Sequence, residues 1–245
     1  YTLSLHDALP ILSNTGTITA KKENSVGILS EKSTVTSSGT VTLQGKTSVG
    51  IFGKNDSEIT NSGNINATNS AADSKSVGII SDKGRAINTG NITMAGGGSA
   101  GMLGQNGATL TNSGSVTMNG EKSAGIYGLL TNTASADKTL NNTGLVKVEN
   151  AGKSGSAGIY AKLDTTATKK LSTVNSGTIE VAQSGSAGIY AENTSAQANT
   201  QSDVTNSGLV KMTGANSVGI IAEKSQITNS GGIGKGIEIS GAGSA

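Results

Sequence analysis

Asn175-Ser176-Gly177-Thr178-Ile179-Glu180-Val181, followed after four residues by Ser186-Ala187-Gly188-Ile189-Tyr190, is the stretch that decides the fold. Both elements recur along nearly the whole chain, and the first returns every 23 to 33 residues. Its asparagines are Asn14, Asn61, Asn88, Asn112, Asn142, Asn175, Asn206 and Asn229, and Ser37 replaces asparagine in one further copy. A fixed period of this length indicates a solenoid of stacked, similar units.

Each repeat contains three short strand-like pieces. The first places an apolar residue shortly before the asparagine: Leu12, Val35, Ile59, Ile87, Leu110, Leu140, Val174, Val204 and Ile227. The second follows the glycine and alternates with period two, and the third is the Ser-Val/Ala-Gly-Ile element. We therefore predict an all-β fold, a parallel β-helix solenoid of about eight rungs with three short strands each.

The spacing also predicts how neighbouring rungs contact each other. We expect the asparagines to form a ladder in which each side-chain amide is bonded to the next rung, with the following glycine in a positive-φ turn. On the second strand an outward column reads Thr19, Thr42, Asn66, Thr93, Thr117, Lys147, Glu180, Lys211 and Glu238. Its alternating charges favour cross-strand pairing over a substrate-binding face.

One face of the predicted helix is a candidate interaction surface. Tyr127, Tyr160 and Tyr190 occupy an outward column of the third strand, where other rungs carry Leu29, Phe52, Ile80, Leu103 and Ile221. The three tyrosine rungs are followed by longer connections, Leu129–Leu140, Lys162–Val174 and Glu192–Val204. Insertions on one face of a repeat protein often mark its binding side, so Leu129, Lys162 and Glu192 join the candidate surface. The alternative is that the column stacks on itself beneath the inserted loops.

The composition excludes several kinds of site. The chain has 36 glycines, no cysteine or tryptophan and one histidine, and its net charge is +2. Without cysteine and with a single histidine, we expect no zinc site, no serine–histidine triad and no cofactor. Scattered charges and few aromatic residues argue against a nucleic-acid surface. Carboxylate chemistry stays open through Glu149, Asp164, Glu180, Glu192 and Asp203, but we expect no enzyme.

Both ends of the chain carry expectations of their own. Residues 1–11 contain the only histidine and proline and fit no repeat, and their codons can be written to resemble a sequencing-library adapter. We interpret 1–11 as non-native and 12–245 as a single β-helix repeat domain. Because the chain stops within a repeat, we expect it to be truncated at both ends.

The recurring Asn-Ser-Gly-Thr-Ile and Ser-Val-Gly-Ile-Tyr-like units resemble the passenger regions of large Gram-negative autotransporter adhesins, which use type V secretion. The resemblance covers residues 12–245 and implies a surface-displayed β-helix, Sec export and a C-terminal outer-membrane barrel as the membrane link. Trimeric autotransporter heads have similar units with a shorter period, and two-partner-secreted haemagglutinins share the β-helix.

The resemblance implies a location at the cell surface or outer membrane, or outside the cell after release, and a role in virulence. The expected function is adhesion to a host-cell or bacterial surface protein or glycan, by a monomeric rod. The alternatives are a passive stalk and a glycan-processing β-helix enzyme.

Overall fold

The computed structural model describes residues 10–131, 134, 136–196, 202–231 and 234–245. The chain forms an all-β, parallel β-helix solenoid of about eight turns with three sheets, as the repeats predict. Strands are numbered β1 to β26 in chain order, and each strand from β1 to β23 pairs in parallel with the strand three positions further on.

The first sheet contains the asparagine strands: β1 (Ile11–Asn14), β4 (Thr34–Ser37), β7 (Glu58–Asn61), β10 (Arg85–Asn88), β13 (Thr109–Asn112), β16 (Lys138–Asn142), β19 (Leu171–Asn175), β22 (Val204–Asn206) and β25 (Ile227–Asn229). The second contains β2 (Thr17–Ala20), β5 (Thr40–Leu43), β8 (Asn64–Ala67), β11 (Asn91–Met94), β14 (Ser115–Met118), β17 (Leu145–Val148), β20 (Thr178–Val181), β23 (Leu209–Met212) and β26 (Gly236–Ile239). The third contains β3 (Val26–Glu31), β6 (Val49–Lys54), β9 (Val77–Asp82), β12 (Ala100–Gln105), β15 (Ala124–Leu130), β18 (Ala157–Leu163), β21 (Ala187–Asn193) and β24 (Val218–Ala222).

The core is a narrow column of aliphatic side chains inside the three sheets. In one rung, Ile126, Leu140 and Val146 are fully buried, one from each sheet. Equivalent residues above and below align because the register repeats from rung to rung, as in Ile126 opposite Ile159. Burial of these side chains supplies the main driving force for folding, since each contributes about 1.5–3 kcal/mol.

Two residues of the predicted apolar column prove to be one position out of register. Ala86, not Ile87, lies opposite Ile59 and is buried. Thr173, not Val174, lies opposite Leu140 and is buried. The inward position is two residues before the asparagine in every rung, because successive side chains of a strand point to opposite faces.

The asparagines form a ladder of side-chain hydrogen bonds inside the solenoid. The amide of Asn112 donates to Oδ1 of Asn142 at 2.8 Å, and Asn142 donates to Oδ1 of Asn175 at 2.8 Å. The same bond joins Asn61 to Asn88, Asn88 to Asn112, Asn175 to Asn206 and Asn206 to Asn229. Asn14 donates to the hydroxyl of Ser37 instead.

The glycine two residues after each asparagine is required for a different reason from the one we expected. The described positive-φ positions do not include Gly63 or Gly114. A Cβ on Gly114 would lie 2.1 Å from the carbonyl oxygen of Gly90, and one on Gly63 would lie 1.9 Å from that of Gly39. Glycine is needed here because the backbones of neighbouring rungs approach too closely for any side chain, and not for a left-handed turn.

The charged column of the second sheet has the predicted register. Lys147 lies opposite Glu180, Glu180 opposite Lys211 and Lys211 opposite Glu238. The Lys147 ammonium is 3.5 Å from the Glu180 carboxylate and 3.2 Å from that of Glu149. Pairs of this kind stabilise adjacent strands modestly.

Pro10 and Ile11 take part in the described part of the solenoid. Residues 1–9 lie outside the described residues. Ile11 is already part of β1 and lies opposite Thr34, whose amide donates to the Pro10 carbonyl oxygen at 2.9 Å. The described β-helix therefore includes Pro10 and Ile11. The origin of residues 1–11 stays a prediction.

Candidate interaction face on the third sheet

The third sheet carries a stack of tyrosine rings on its outer face. The ring centroids of Tyr127 and Tyr160 are 4.8 Å apart with 12° between their planes, and those of Tyr160 and Tyr190 are 5.3 Å apart with 17°. The register that aligns these strands places the tyrosines directly above one another. Each ring is half-buried, because its faces pack against its neighbours. We call these three residues the tyrosine stripe.

A second outward column follows the tyrosine stripe two residues later. Leu129, Lys162 and Glu192 lie opposite one another in successive rungs, so the structure brings the six candidate residues onto one face. Lys162 donates to Glu192 at 2.9 Å, and the Tyr160 hydroxyl also donates to the Glu192 carboxylate. In the next rung the Tyr190 hydroxyl donates to Glu223 at 2.9 Å. The phenol groups therefore lean toward this second column.

These contacts shift the ionisation of the groups that make them. Burial opposes the charged form of Glu192, but the hydrogen bonds from Tyr160 and Lys162 outweigh it and hold the pKa of the carboxyl below its ordinary value. The hydrogen bond to Glu223, followed by burial, raises the pKa of Tyr190 to about 12. Burial and then the hydrogen bond to Glu192 raise the pKa of Tyr160 well above its ordinary value. The phenols are thus neutral donors at physiological pH.

An apolar groove of about 580 Å³ runs along the other side of the tyrosine stripe. Its floor is a column of small, nearly buried outward residues: Ala100, Ala124, Ala157 and Ala187. Its far rim is the corner column Gly98, Lys122, Gly155, Gly185 and Asn216, all with positive φ. Three of these five are glycines, so the rim has few side chains, and the groove stays open.

A serine ladder fixes the floor of the groove. The backbone amide of Ser123 donates to the hydroxyl of Ser156 at 3.1 Å, and that of Ser156 donates to the hydroxyl of Ser186 at 3.1 Å. Each serine directly precedes a floor alanine. The recurring serine is therefore explained by rung-to-rung bonding at this corner, which holds the alanines in line.

The floor and rim are functional candidates that the sequence reasoning missed. A signal was present, because the Val/Ala position of the repeat is alanine in all three tyrosine rungs, as in Ser156-Ala157-Gly158-Ile159-Tyr160. Within a single repeat, valine and alanine look interchangeable at this position. Only the structure shows that the alanine column and the tyrosine column both point outward and together define one groove.

The three long connections pack partly into the interior. Leu130, Leu163 and Leu171 are buried, and so are Ala134 and Ala167. Residues 132, 133, 135 and 197–201 lie outside the described residues. The proposed binding role of these connections stays a prediction, and their described parts act as an extension of the core.

Two candidate carboxylates approach each other on the second sheet. Glu149 and Glu180 both contact Lys147 beside a cavity of about 140 Å³. This volume is below the roughly 300–1,000 Å³ of usual ligand sites, which favours a structural ion-pair network. Within the described ranges, no three or more His, Cys, Asp or Glu side chains form a group suited to a metal ion. No helix there is long and apolar enough to span a membrane.

The fold and this face define a parallel β-helix with a long, repetitive outer surface. The family model described as the BigA third pectate lyase-like domain matches residues 12–199, which is 188 of the 245 residues. The chain belongs to this family. Membership fits a β-helix passenger region and suggests an adhesin-like, surface-exposed bacterial protein. No match was found among curated proteins or among solved structures.

Proposed function

We propose that this chain is a stiff β-helix segment of a surface-displayed autotransporter passenger, and that it mediates adhesion through the outer face of its third sheet. The observation that carries the proposal is the apolar groove beside the tyrosine stripe. Large exposed apolar patches on soluble proteins mark interaction sites. The outward column of the second sheet, in contrast, consists of threonine, asparagine and charged residues.

The repetitive architecture supports a multivalent mode of binding. The groove crosses several rungs about 4.8 Å apart, so each rung offers a similar small contact. Such contacts on one rigid rod can add to a strong attachment although each is weak. The expected ligand is a protein or glycan on a host-cell or bacterial surface, and the expected chemistry is binding without catalysis.

The test is adhesion of beads that carry the purified full chain to bacterial and epithelial cells. The variant Ala124→Val/Ala157→Val/Ala187→Val fills the groove. We expect it to fold like the parent chain, because other rungs have valine at this position, namely Val49, Val77 and Val218. We expect it to lose most of the adhesion. The matched control, Thr42→Val/Thr93→Val/Thr117→Val on the second sheet, should adhere like the parent chain.

A passive stalk is the second candidate, and the asparagine ladder from Asn61 to Asn229 and the serine ladder favour it. A stalk needs stiffness alone, and such ladders supply stiffness without a ligand. Under this alternative, neither the groove-filling variant nor deletion of the three long connections would change adhesion of the whole surface protein. Equal adhesion of parent and groove-filling variant would therefore overturn the proposed adhesive face.

A further inference from the structure

The first five strands of the second sheet have an outer face made only of hydroxyl and amide side chains. These strands are β2, β5, β8, β11 and β14, and each contributes two outward residues. In chain order the pairs are Thr17 and Thr19, Thr40 and Thr42, Asn64 and Asn66, Asn91 and Thr93, and Ser115 and Thr117. We call these residues the threonine face.

The threonine face is a regular two-dimensional array. Thr19 lies opposite Thr42, and the same one-to-one register continues through β8 and β11 to Thr117. Neighbouring strands are about 4.8 Å apart, and the two outward residues of one strand are about 6.8 Å apart. The polar groups therefore lie on a nearly rectangular grid that covers about 19 Å along the solenoid.

The threonine hydroxyls of this face are available to an external partner. Hydroxyls at the neighbouring corners bond to backbone carbonyl groups, as Thr68 does to Leu43 and Thr89 to Asn61. Within the described part of the chain, the threonine hydroxyls of the face have no hydrogen-bond partner. Because threonine is stiff at its first side-chain torsion, the backbone register also fixes where these hydroxyls lie.

The fold itself does not require polar groups at these positions. Further along the same two columns, Leu145 and Lys147 lie opposite Ser115 and Thr117. Apolar and charged side chains therefore fit the outer face of this sheet. The preference of threonine for strands explains single threonines, but it does not explain five successive rungs without a charged or apolar outward residue.

The composition of the threonine face limits the kind of ligand. It contains no charged side chain to attract an ion and no aromatic ring on which a sugar could stack. A single hydroxyl contact gains little, because it replaces an equivalent hydrogen bond to water. Binding becomes favourable only when many such contacts form together on a rigid surface. The matching ligand is therefore itself polar, rigid and periodic.

Ice has these properties. On a prism face of hexagonal ice, water oxygens form a rectangular grid with a short and a long repeat. These two repeats are close to the strand spacing and the column spacing of the threonine face. A hydroxyl both donates and accepts hydrogen bonds, so it can take the place of a lattice water. The face has two columns, so the long repeat has to be matched only once in each rung.

We propose that the threonine face binds ice by placing its polar groups at water positions of the crystal surface. This goes beyond the proposed function, because it uses a different sheet from the adhesive face and a different class of ligand. An adsorbed chain blocks the advance of the ice front beneath it, so that further growth requires further cooling. On a surface-displayed rod, the same contact holds the cell at the ice surface.

The first test measures the growth of a seed ice crystal in solutions of the purified full chain. We expect the freezing temperature to fall below the melting temperature by a gap that widens with protein concentration. The variant Thr42→Lys/Thr93→Lys should abolish this gap, because two charged side chains then project from the middle of the grid. We expect it to fold like the parent chain, with an unchanged circular dichroism spectrum, because the same column contains Lys147 and Lys211.

The matched control places the same two lysines on another sheet. Thr60→Lys/Thr111→Lys changes outward residues of β7 and β13, which are also two rungs apart. The first sheet is not a uniform polar array, since Glu58 and Arg85 lie in its neighbouring outward column. This variant should keep the gap of the parent chain. A parent chain without a gap, or equal effects of the two lysine variants, overturns the proposal.

The second test identifies the ligand directly. Fluorescently labelled full chain should adsorb to the prism planes of a single ice crystal and should not bind powdered crystalline cellulose, which is another rigid, polar and periodic surface. Binding to cellulose without binding to ice overturns the proposal in favour of a polysaccharide ligand. The result is independent of the adhesive face, because neither lysine variant changes the third sheet.

Discussion

Ser37 leaves the side-chain oxygen of Asn61 without a hydrogen-bond partner among the described residues. In the other rungs this oxygen accepts from the amide of the asparagine in the preceding rung, as Asn88 does from Asn61 at 2.9 Å. The side chain of Ser37 has no amide group that could donate to this oxygen. The ladder is therefore interrupted between β4 and β7, and a fully buried carbonyl group bears the cost of lost solvation.

We predict that Ser37→Asn stabilises the solenoid by about 1 kcal/mol. The new amide would donate to Asn61 and accept from Asn14, which now donates to the Ser37 hydroxyl at 3.2 Å. Urea unfolding, with hydrogen exchange of β4 and β7, measures the change. Ser38→Asn, one residue outside the ladder, is the control and should be neutral. A destabilised Ser37→Asn variant would show that this rung has no room for the asparagine.

Close backbone approach predicts a second, larger effect. Gly114→Ala should destabilise the chain by more than about 2 kcal/mol, because the added methyl would lie 2.1 Å from the Gly90 carbonyl oxygen. Gly16→Ala is the matched control, since a Cβ at Gly16 meets nothing within 4 Å. Thermal unfolding of the two variants should differ clearly. Equal stability would mean that the rungs can separate to accept a side chain.

These glycines show which part of the structure a single sequence can reveal. The period of the repeat and the positions of asparagine and isoleucine within it predicted the three sheets, because equivalent strands of successive repeats pair with each other. The purpose of Gly114 was misassigned because its contact is with another rung. The groove was missed for the same reason, since Ala124 and Tyr127 define it only after stacking.

The misplaced apolar residues have a related cause. The apolar side chain of Val174 predicts an inward position, whereas the inward position of this strand is the one two residues before Asn175. That position holds Thr173, whose buried hydroxyl has no hydrogen-bond partner among the described residues. The prediction is wrong at this rung because it follows the apolar residue, whereas strand register decides which side chain points inward.

Thr173→Val is therefore predicted to stabilise the chain by about 1–2 kcal/mol. It removes an unpaired buried hydroxyl and keeps the shape of the side chain. Thr205→Val, in the outward column opposite Val174, is the control and should change stability little. Denaturant midpoints of both variants measure the difference. A loss of stability in Thr173→Val would indicate that the hydroxyl is paired after all, through a bound water.

The last prediction concerns pH and the tyrosine stripe. Because the pKa of Tyr190 is raised to about 12 in the folded chain, against about 10 in an unfolded one, its contribution to stability is fully present below about pH 10. It is lost as the pH rises toward about 12, where the folded phenol also ionises. Spectrophotometric titration of tyrosinate should therefore show late ionisation that moves to lower pH on unfolding.

Glu223→Gln isolates the cause of this shift. The amide keeps the size of the side chain but removes the negative charge that faces the Tyr190 hydroxyl at 2.9 Å. The pKa of Tyr190 should then fall toward its ordinary value, seen as a difference between variant and parent titrations. Glu238→Gln, on the second sheet, makes the same charge change away from the tyrosines and should leave the titration unchanged. An unchanged titration in Glu223→Gln would assign the shift to burial in the ring stack alone.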